Sequence, residues 1–122
     1  AGATIVNYPP VVTVLSPIGG ETWTTGTAYN VRWTATDSTG TVQYINIYFS
    51  PDGGASWSPI ITGEPNDGIY TWTPSSTTPK GRIKVEAVDS YGERGIGISN
   101  GDFNVIASCV MPSTPILSGI PV

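Results

Sequence analysis

Short runs of apolar residues at every second position recur between Val11 and Ile106 of this sequence. The clearest run is YNVRWTA, residues 29–35, in which polar residues separate the apolar ones. Side chains two positions apart share one face of a β-strand, so this period predicts strands with one buried face. The other runs with this pattern are Val12 and Val14; Ile45, Ile47 and Phe49; Tyr70 and Trp72; Ile83, Val85 and Ala87; and Phe103 and Val105.

Turn-forming residues separate these runs, as in Gly19-Gly20, Asp52-Gly53-Gly54 and Asn66-Asp67-Gly68. With a weaker strand expected near residues 56–62, about seven strands fit into the alternating part of the chain. This spacing predicts an all-β fold, an Ig-like or fibronectin-III-like antiparallel sandwich of two sheets, with no helix longer than a turn. We therefore divide the chain into an extended N-terminal segment (1–10), a sandwich (11–106) and an extended proline-rich C-terminal segment (107–122).

Composition narrows the class of partner. Only 11% of the 122 residues are charged, and the net charge is −4, which argues against a nucleic-acid partner because such proteins present a basic face. No run approaches the ~18 apolar residues of a membrane span, so none is predicted. A β-rich sequence dominated by Thr, Ser, Gly and Pro favours an extracellular or cell-surface location.

The sequence contains few residues in arrangements that would support catalysis. The chain has no histidine, so neither Cys109 nor a serine has the usual base beside it. Cys109 is the single cysteine, which excludes a disulfide within the chain. The carboxylate pairs Glu64 with Asp67 and Asp89 with Glu93 fall in predicted turns, and the spacing of a calcium loop is missing. We predict no catalytic residue, no cofactor and no metal site.

The octet SPDGGASW, residues 50–57, fits the pattern S-x-D-x-G-x-[S/T]-W and resembles the Asp-box hairpin of sialidase propellers. In such a hairpin Asp52 would accept hydrogen bonds from turn amides, Gly53 and Gly54 would take positive φ, and Trp57 would fold over the turn. A single copy cannot build a propeller. The octet is therefore interpreted as a structural turn between two strands.

A series of motifs in a fixed order carries a wider resemblance, to the Ser/Thr-rich, GPI-anchored cell-wall family of Ig-like domains. The motifs are VTVLSPIGGETW, YNVRWTA, INIYFSPDGGASW, NDGIYTWTP, RIKVEAVD and GDFNV, and together they span residues 11–106. The resemblance implies an extracellular β-sandwich that is usually repeated or joined to other domains. It implies no catalytic residues.

Tyr44, Asn46 and Tyr48 lie opposite the apolar set of their strand and should project outward together. Such a face could stack sugar rings and bond hydroxyls, or it could pack against another subunit. Cross-strand packing within a solvated sheet is the simpler alternative. Trp33 and Trp72 face inward by the same period, so both are predicted core residues.

Both ends of the chain are uncharged: no charged residue precedes Glu21, and none follows Asp102. Disordered tails are usually polar or charged, so these apolar, proline-containing segments are interpreted as chain that becomes covered. They could pack on their own sandwich or along an edge or groove of a neighbour. The residues predicted to make such contacts are Ile5, Val6, Tyr8, Ile116, Leu117 and Ile120.

Two hypotheses of function follow. The first is a non-enzymatic extracellular subunit that self-assembles, as a filament or surface layer, through its apolar terminal segments. The alternative is a carbohydrate-binding, cell-surface-binding or spacer module of a larger secreted protein such as a hydrolase or adhesin, with polysaccharide as its partner.

Overall fold

The computed structural model describes residues 6–108, in which all regular structure is β. The strands are β1 (Val11–Ser16), β2 (Thr22–Thr24), β3 (Tyr29–Thr36), β4 (Val42–Ser50), β5 (Ser58–Glu64), β6 (Ile69–Trp72), β7 (Thr78–Asp89), β8 (Arg94–Ile98) and β9 (Phe103–Ile106). Within this part of the chain, no helix is long and apolar enough to cross a membrane.

The strands form two sheets. One has the order β1-β3-β6, and the other has the order β2-β9-β7-β4-β5, with β8 pairing on the second half of β7. All pairs are antiparallel except β2 with β9, where Trp23 lies opposite Val105 in a parallel ladder. This architecture confirms the predicted all-β sandwich of two sheets.

The strand count is higher than the expected seven because two short strands were not predicted. β2 has three residues, too few to show a period. β8 reads RGIGI, and its inward positions are the buried glycines Gly95 and Gly97 rather than apolar side chains. A Cβ on Gly97 would lie 2.6 Å from the Val12 carbonyl oxygen, so glycine is required for β1 to approach this closely.

The core lies between the sheets and follows the predicted alternation. Val31 is fully buried and Trp33 is 2% exposed, whereas Arg32 and Thr34 between them are exposed. Trp72 is half-buried and packs against this core, in agreement with its predicted inward position. The buried apolar cluster comprises Val14, Trp23, Val31, Trp33, Ile45, Ile47, Ile83, Val85, Ala87, Phe103 and Val105.

One side of the sandwich has two open edges. β5 ends the six-stranded sheet and β6 ends the three-stranded sheet, and each has a single neighbour. Residues 65–68 connect these two strands directly, without a further strand between them. A gap between the sheets therefore opens on this side.

Residues 6–10 precede β1 and form no strand. Asn7 Nδ2 donates to Asp89 Oδ2 at 2.9 Å, and the Tyr8 amide donates to Thr39 Oγ1 at 2.9 Å, so polar contacts fasten the segment. The side chains of Val6 and Tyr8, both predicted contact residues, are exposed. Ile5, Cys109, Ile116, Leu117 and Ile120 lie outside the described residues.

Candidate functional site

A groove with a volume of about 500 Å³ opens between β5 and β6. We call it the aromatic groove, and its lining residues are Phe49, Pro51, Ser58, Pro59, Ile60, Tyr70, Trp72, Ser75 and Ser76. None of these residues is charged, although the chain as a whole carries a net charge of −4. The groove therefore suits an uncharged ligand.

The floor of the aromatic groove is held by the core. The ring centroids of Phe49 and Trp72 are 5.0 Å apart and tilted by 46°. The ring centroid of Trp72 is also 6.2 Å from that of Trp23, and the ring centroid of Phe49 is 6.3 Å from that of Phe103. Because each ring packs on a second aromatic, the floor of the groove is preformed.

Sequence reasoning assigned Tyr70 and Trp72 to the core and did not find the groove. The short connection from β5 to β6 could have indicated the groove, because it leaves no strand to cover these side chains. Recognising it required the sheet order, because only that order places the two open edges on the same side.

The predicted outward face of β4 is more enclosed than expected. Tyr44 and Tyr48 are half-buried, and Asn46 is only 6% exposed. Asn46 Nδ2 donates to Glu86 Oε1 at 2.9 Å, and Asn46 Oδ1 accepts from the Gly63 amide at 3.0 Å. Asn46 lies opposite the core residues of β4, but neighbouring strands use both ends of its amide and cover it, which is the cross-strand packing named above as the simpler alternative.

Lys84 links two aromatic residues on this outer face. Its Nζ lies 4.8 Å from the ring centroid of Tyr48 and 4.7 Å from that of Trp57. Such distances allow cation–π attraction with both rings. Lys84 stands opposite Tyr48 in the β4–β7 ladder, and the hairpin of residues 50–57 brings Trp57 to the same place. The sequence pattern did not predict that these three residues are in contact.

Glu86 gathers the polar groups of the same face. Its Oε1 accepts from Asn46 Nδ2, from Tyr48 Oη at 3.3 Å and from Arg94 Nη1 at 3.0 Å. Burial raises the pKa of Tyr48, and the negative charge of Glu86 adds to that rise. These groups are largely satisfied by one another, so the face is an internally bonded surface.

The hairpin of residues 50–57 is stabilised by the Asp52 carboxylate. Ser50 Oγ and the Ser56 amide donate to its Oδ1 at 2.6 and 2.9 Å, and Ser56 Oγ donates to its Oδ2 at 2.6 Å. The hydrogen bond from Ser50, followed by those from Ser56, lowers the pKa of Asp52 to about 2. Gly53 and Gly54 have φ of 73° and 99°, which glycine adopts without strain.

A second carboxylate holds the N-terminal segment. Asp89 is fully buried and accepts from Asn7 and from the Tyr91 and Glu93 amides at 2.9 and 2.8 Å. Burial by itself would raise the pKa of Asp89, but these hydrogen bonds outweigh it and hold the pKa below its ordinary value. Among residues 6–108, no group of three or more His, Cys, Asp or Glu side chains is placed to hold a metal ion.

Comparison with known proteins identifies the type of domain. A family model described as the Kre9/KNH-like N-terminal Ig-like domain matches residues 16–100. No curated protein matches the chain in sequence.

Solved structures share the fold at low sequence identity. The fibronectin(III)-like modules of CbhA from Clostridium thermocellum match with a TM-score of 0.65 and 16% identity, covering 85% of this chain and 50% of theirs. A superoxide reductase (neelaredoxin) from Ignicoccus hospitalis matches with a TM-score of 0.51 and 12% identity, covering 81% of each chain. The PKD domain of an M14-like peptidase from a Thermoplasmatales archaeon matches with a TM-score of 0.50 and 23% identity, covering 76% of this chain and 93% of that domain.

Proposed function

This chain belongs to the family of Kre9/KNH-like N-terminal Ig-like domains, an extracellular cell-wall family, and we propose that it is a non-enzymatic structural module that self-associates through its apolar terminal segments. The family and the fibronectin(III)-like neighbours support the extracellular module. Exposed apolar residues and open strand edges of the sandwich support self-association.

The observation that carries the proposal is an apolar strip along residues 6–15. Val6, Tyr8, Val11 and Leu15 are 52%, 57%, 68% and 47% exposed, and the first 20 residues contain no charge. A concentration of exposed apolar side chains marks an interaction surface, and these four fall within ten residues of the sequence. We call these four residues the apolar strip.

The open edges of β5 and β6 supply a complementary surface. An unpaired edge presents N–H and C=O groups that an added segment can satisfy. Donor and acceptor surfaces differ in this arrangement, so the contact is heterologous and repeats from copy to copy. The product would be a filament or a surface layer.

The proposed module has no catalytic function. The likeness to superoxide reductase is a likeness of fold at 12% identity and carries no activity with it. In this chain the best-defined carboxylates, Asp52 and Asp89, are occupied by hydrogen bonds within their own turns. Both act as turn-stabilising groups.

Sedimentation velocity of the full chain over a concentration series tests the proposal. We expect the weight-average mass to rise with concentration, and the double variant Val6→Ser with Tyr8→Ser to reduce that rise. The double variant Ile96→Ser with Ile98→Ser is a matched control, since both isoleucines are exposed on β8. A full chain that stays monomeric at millimolar concentration contradicts self-association.

A second candidate function is polysaccharide binding on the outer face of β4 and β7. The arrangement of Tyr48 and Trp57 around Lys84 supports it, because fixed aromatic rings can stack on sugars. The variant Tyr48→Ala with Trp57→Ala should then abolish pull-down by cell-wall polysaccharides while Tyr8→Ala leaves it unchanged. Equal retention of both variants removes this candidate.

A further inference from the structure

We propose that the carboxylates of Asp37 and Asp89, together with the side-chain amide of Asn7, bind a calcium ion. The three residues come from the connection between β3 and β4, from the end of β7 and from the segment before β1. The sequence did not predict this site, because its ligands come from three distant parts of the chain rather than from one calcium loop. The inference is independent of self-association.

The first observation is a buried negative charge on Asp89. Its side chain is fully buried, and neither of the two ion pairs found among residues 6–108 involves it. The hydrogen bonds that its Oδ1 accepts from the Tyr91 and Glu93 amides stabilise the ionised form. A buried charge is normally paired with an opposite charge or coordinates a metal. The described part of the chain supplies no cation to balance Asp89.

The second observation is an unpartnered oxygen of Asp37 at the same place. The Asp37 carboxyl group is within hydrogen-bonding reach of the Asp89 carboxyl group. Asp37 Oδ1 accepts from the Thr39 amide at 3.0 Å, whereas Oδ2 is buried and has no hydrogen-bond partner within residues 6–108. Two ionised carboxylates in contact repel each other unless a cation or a shared proton lies between them. Because amide hydrogen bonds stabilise the ionised form of Asp89, a cation fits this position better than a proton.

Asn7 supplies the third ligand through its amide oxygen. Its Nδ2 donates to Asp89 Oδ2 at 2.9 Å, and its Oδ1 accepts from Thr39 Oγ1 at 3.1 Å. Turning the amide over on calcium binding would point Oδ1 at the ion. Nδ2 would then donate to Thr39 Oγ1, because a hydroxyl oxygen also accepts hydrogen bonds. The amide of Asn7 therefore has a satisfied arrangement both with and without the ion.

The chemistry of the position favours calcium over magnesium. Carboxylate and amide oxygens are the ligands that Ca²⁺ prefers, and Ca²⁺ accepts the irregular geometry of ligands from separate segments, whereas Mg²⁺ demands a near-ideal octahedron. An open pocket of about 410 Å³ lies beside the position and gives access to the water molecules that complete the coordination. Its lining residues are Asn7, Tyr91, Gly92 and Glu93. The bound ion would fasten residues 6–10 to the sandwich.

A calcium titration of the full chain after treatment with EDTA tests the assignment. We expect a saturable rise in Tm with half-saturation at about 0.1–1 mM calcium, the range of extracellular modules. Magnesium at the same ionic strength should give a much smaller rise. Calcium should shift the amide signals of the ¹⁵N-labelled chain at Asn7, at Thr39 and in the turn that follows Asp89.

Two variants distinguish a calcium ligand from a residue that only stabilises the fold. Asp37→Asn removes one charge at nearly constant size, and its amide can donate to Asp89. It should weaken calcium binding by roughly tenfold or more without lowering Tm in EDTA. Asn7→Asp provides a third carboxylate but no donor, so it should lower Tm in EDTA and bind calcium at least as tightly as the parent. Asp67→Asn, in an exposed turn, is the matched control and should leave calcium binding unchanged.

Three results would overturn the assignment: a Tm that does not respond to calcium, an Asp37→Asn variant that binds calcium as tightly as the parent, or amide shifts centred on Asp52 or Asp67. These results leave the proposed function intact, because self-association is measured by sedimentation at a fixed calcium concentration. A chain that binds calcium and stays monomeric at millimolar concentration would support the site and contradict the proposed function.

Discussion

Gly95 of β8 lies directly against the backbone of Pro10: a Cβ on Gly95 would clash with the Pro10 carbonyl oxygen. This contact sets the path of the chain as it enters β1 and holds the start of the apolar strip against the sandwich. It also explains why an inward-facing position in a strand carries no side chain.

Replacing Gly95 with alanine should therefore destabilise the domain. Alanine would gain roughly 0.4–1 kcal/mol by restricting the unfolded chain, but forcing a methyl group into a packed backbone contact costs about 1–3 kcal/mol. We expect a net loss in the free energy of unfolding, measured by chemical denaturation. Gly40→Ala is the matched control, because its Cβ would meet Ser90 Oγ at an ordinary 3.6 Å. Equal stability of the two variants would show that β1 can move away from β8 at no cost.

The hydrogen bond from Asn7 to the buried Asp89 predicts a second effect on stability. Asn7→Ala removes a donor to a charged group, which is worth about 1.5–3 kcal/mol. Hydrogen exchange of residues 6–10 should also become faster, because the segment loses its side-chain anchor. Asn100→Ala, in an exposed turn, is the control.

The same variant should alter the dependence of stability on pH. The pKa of Asp89 is lower in the folded state than in the unfolded state, so its contribution is present above the unfolded pKa and is lost as pH falls through the folded pKa. Removing Asn7 brings the folded pKa closer to the unfolded one. The gap in stability between the parent and Asn7→Ala should accordingly narrow as pH falls below about 4. A gap of constant size would mean that Asn7 acts on something other than the charge of Asp89.

Acid should also weaken the hairpin of residues 50–57. Hydrogen bonds from Ser50 and Ser56 lower the pKa of Asp52 from 3.8 to about 2, so the stability that Asp52 contributes is present above pH 4 and is lost as pH falls toward 2. Asp52→Asn should lower the denaturant midpoint at pH 6 and flatten its decline between pH 4 and pH 2. Asp67→Asn, whose carboxylate accepts a single bond from the Ile69 amide, is the comparison. A decline as steep in Asp52→Asn as in the parent would contradict this assignment.

The sequence predicted those parts of the fold that rest on local pattern. Alternation marked Val31, Trp33, Ile45 and Ile47 as core because burial on one face of a strand requires a period of two. It could not mark β8, where the close approach of β1 replaces apolar side chains with Gly95 and Gly97.

The candidate site depended on contacts that no local pattern contains. Asn46 was expected to face outward because it alternates with the core residues of β4, but the alternation could not show that Glu86 and Gly63 on the neighbouring strands cover it. The alternating pattern places Tyr70 and Trp72 on the inner face of β6, yet the open edges of β5 and β6 leave both side chains lining a groove. The order of the strands in the sheets, rather than the alternation within one strand, determines which of these side chains are covered.

The central claim, that a terminal segment of one copy lies on its neighbour, is tested most directly by a paramagnetic label. Cys109 is the one cysteine of the sequence and belongs to the C-terminal segment, so a nitroxide attached there reports the position of that segment. Chains at natural isotope abundance that carry the nitroxide are mixed with ¹⁵N-labelled Cys109→Ser chains that carry none. Any broadening of the ¹⁵N-labelled amides is then intermolecular. We predict intermolecular broadening of amides along the open edges of β5 and β6, with Ile60 and Tyr70 among them. Mixed samples at millimolar concentration with no intermolecular broadening at any amide would contradict the account.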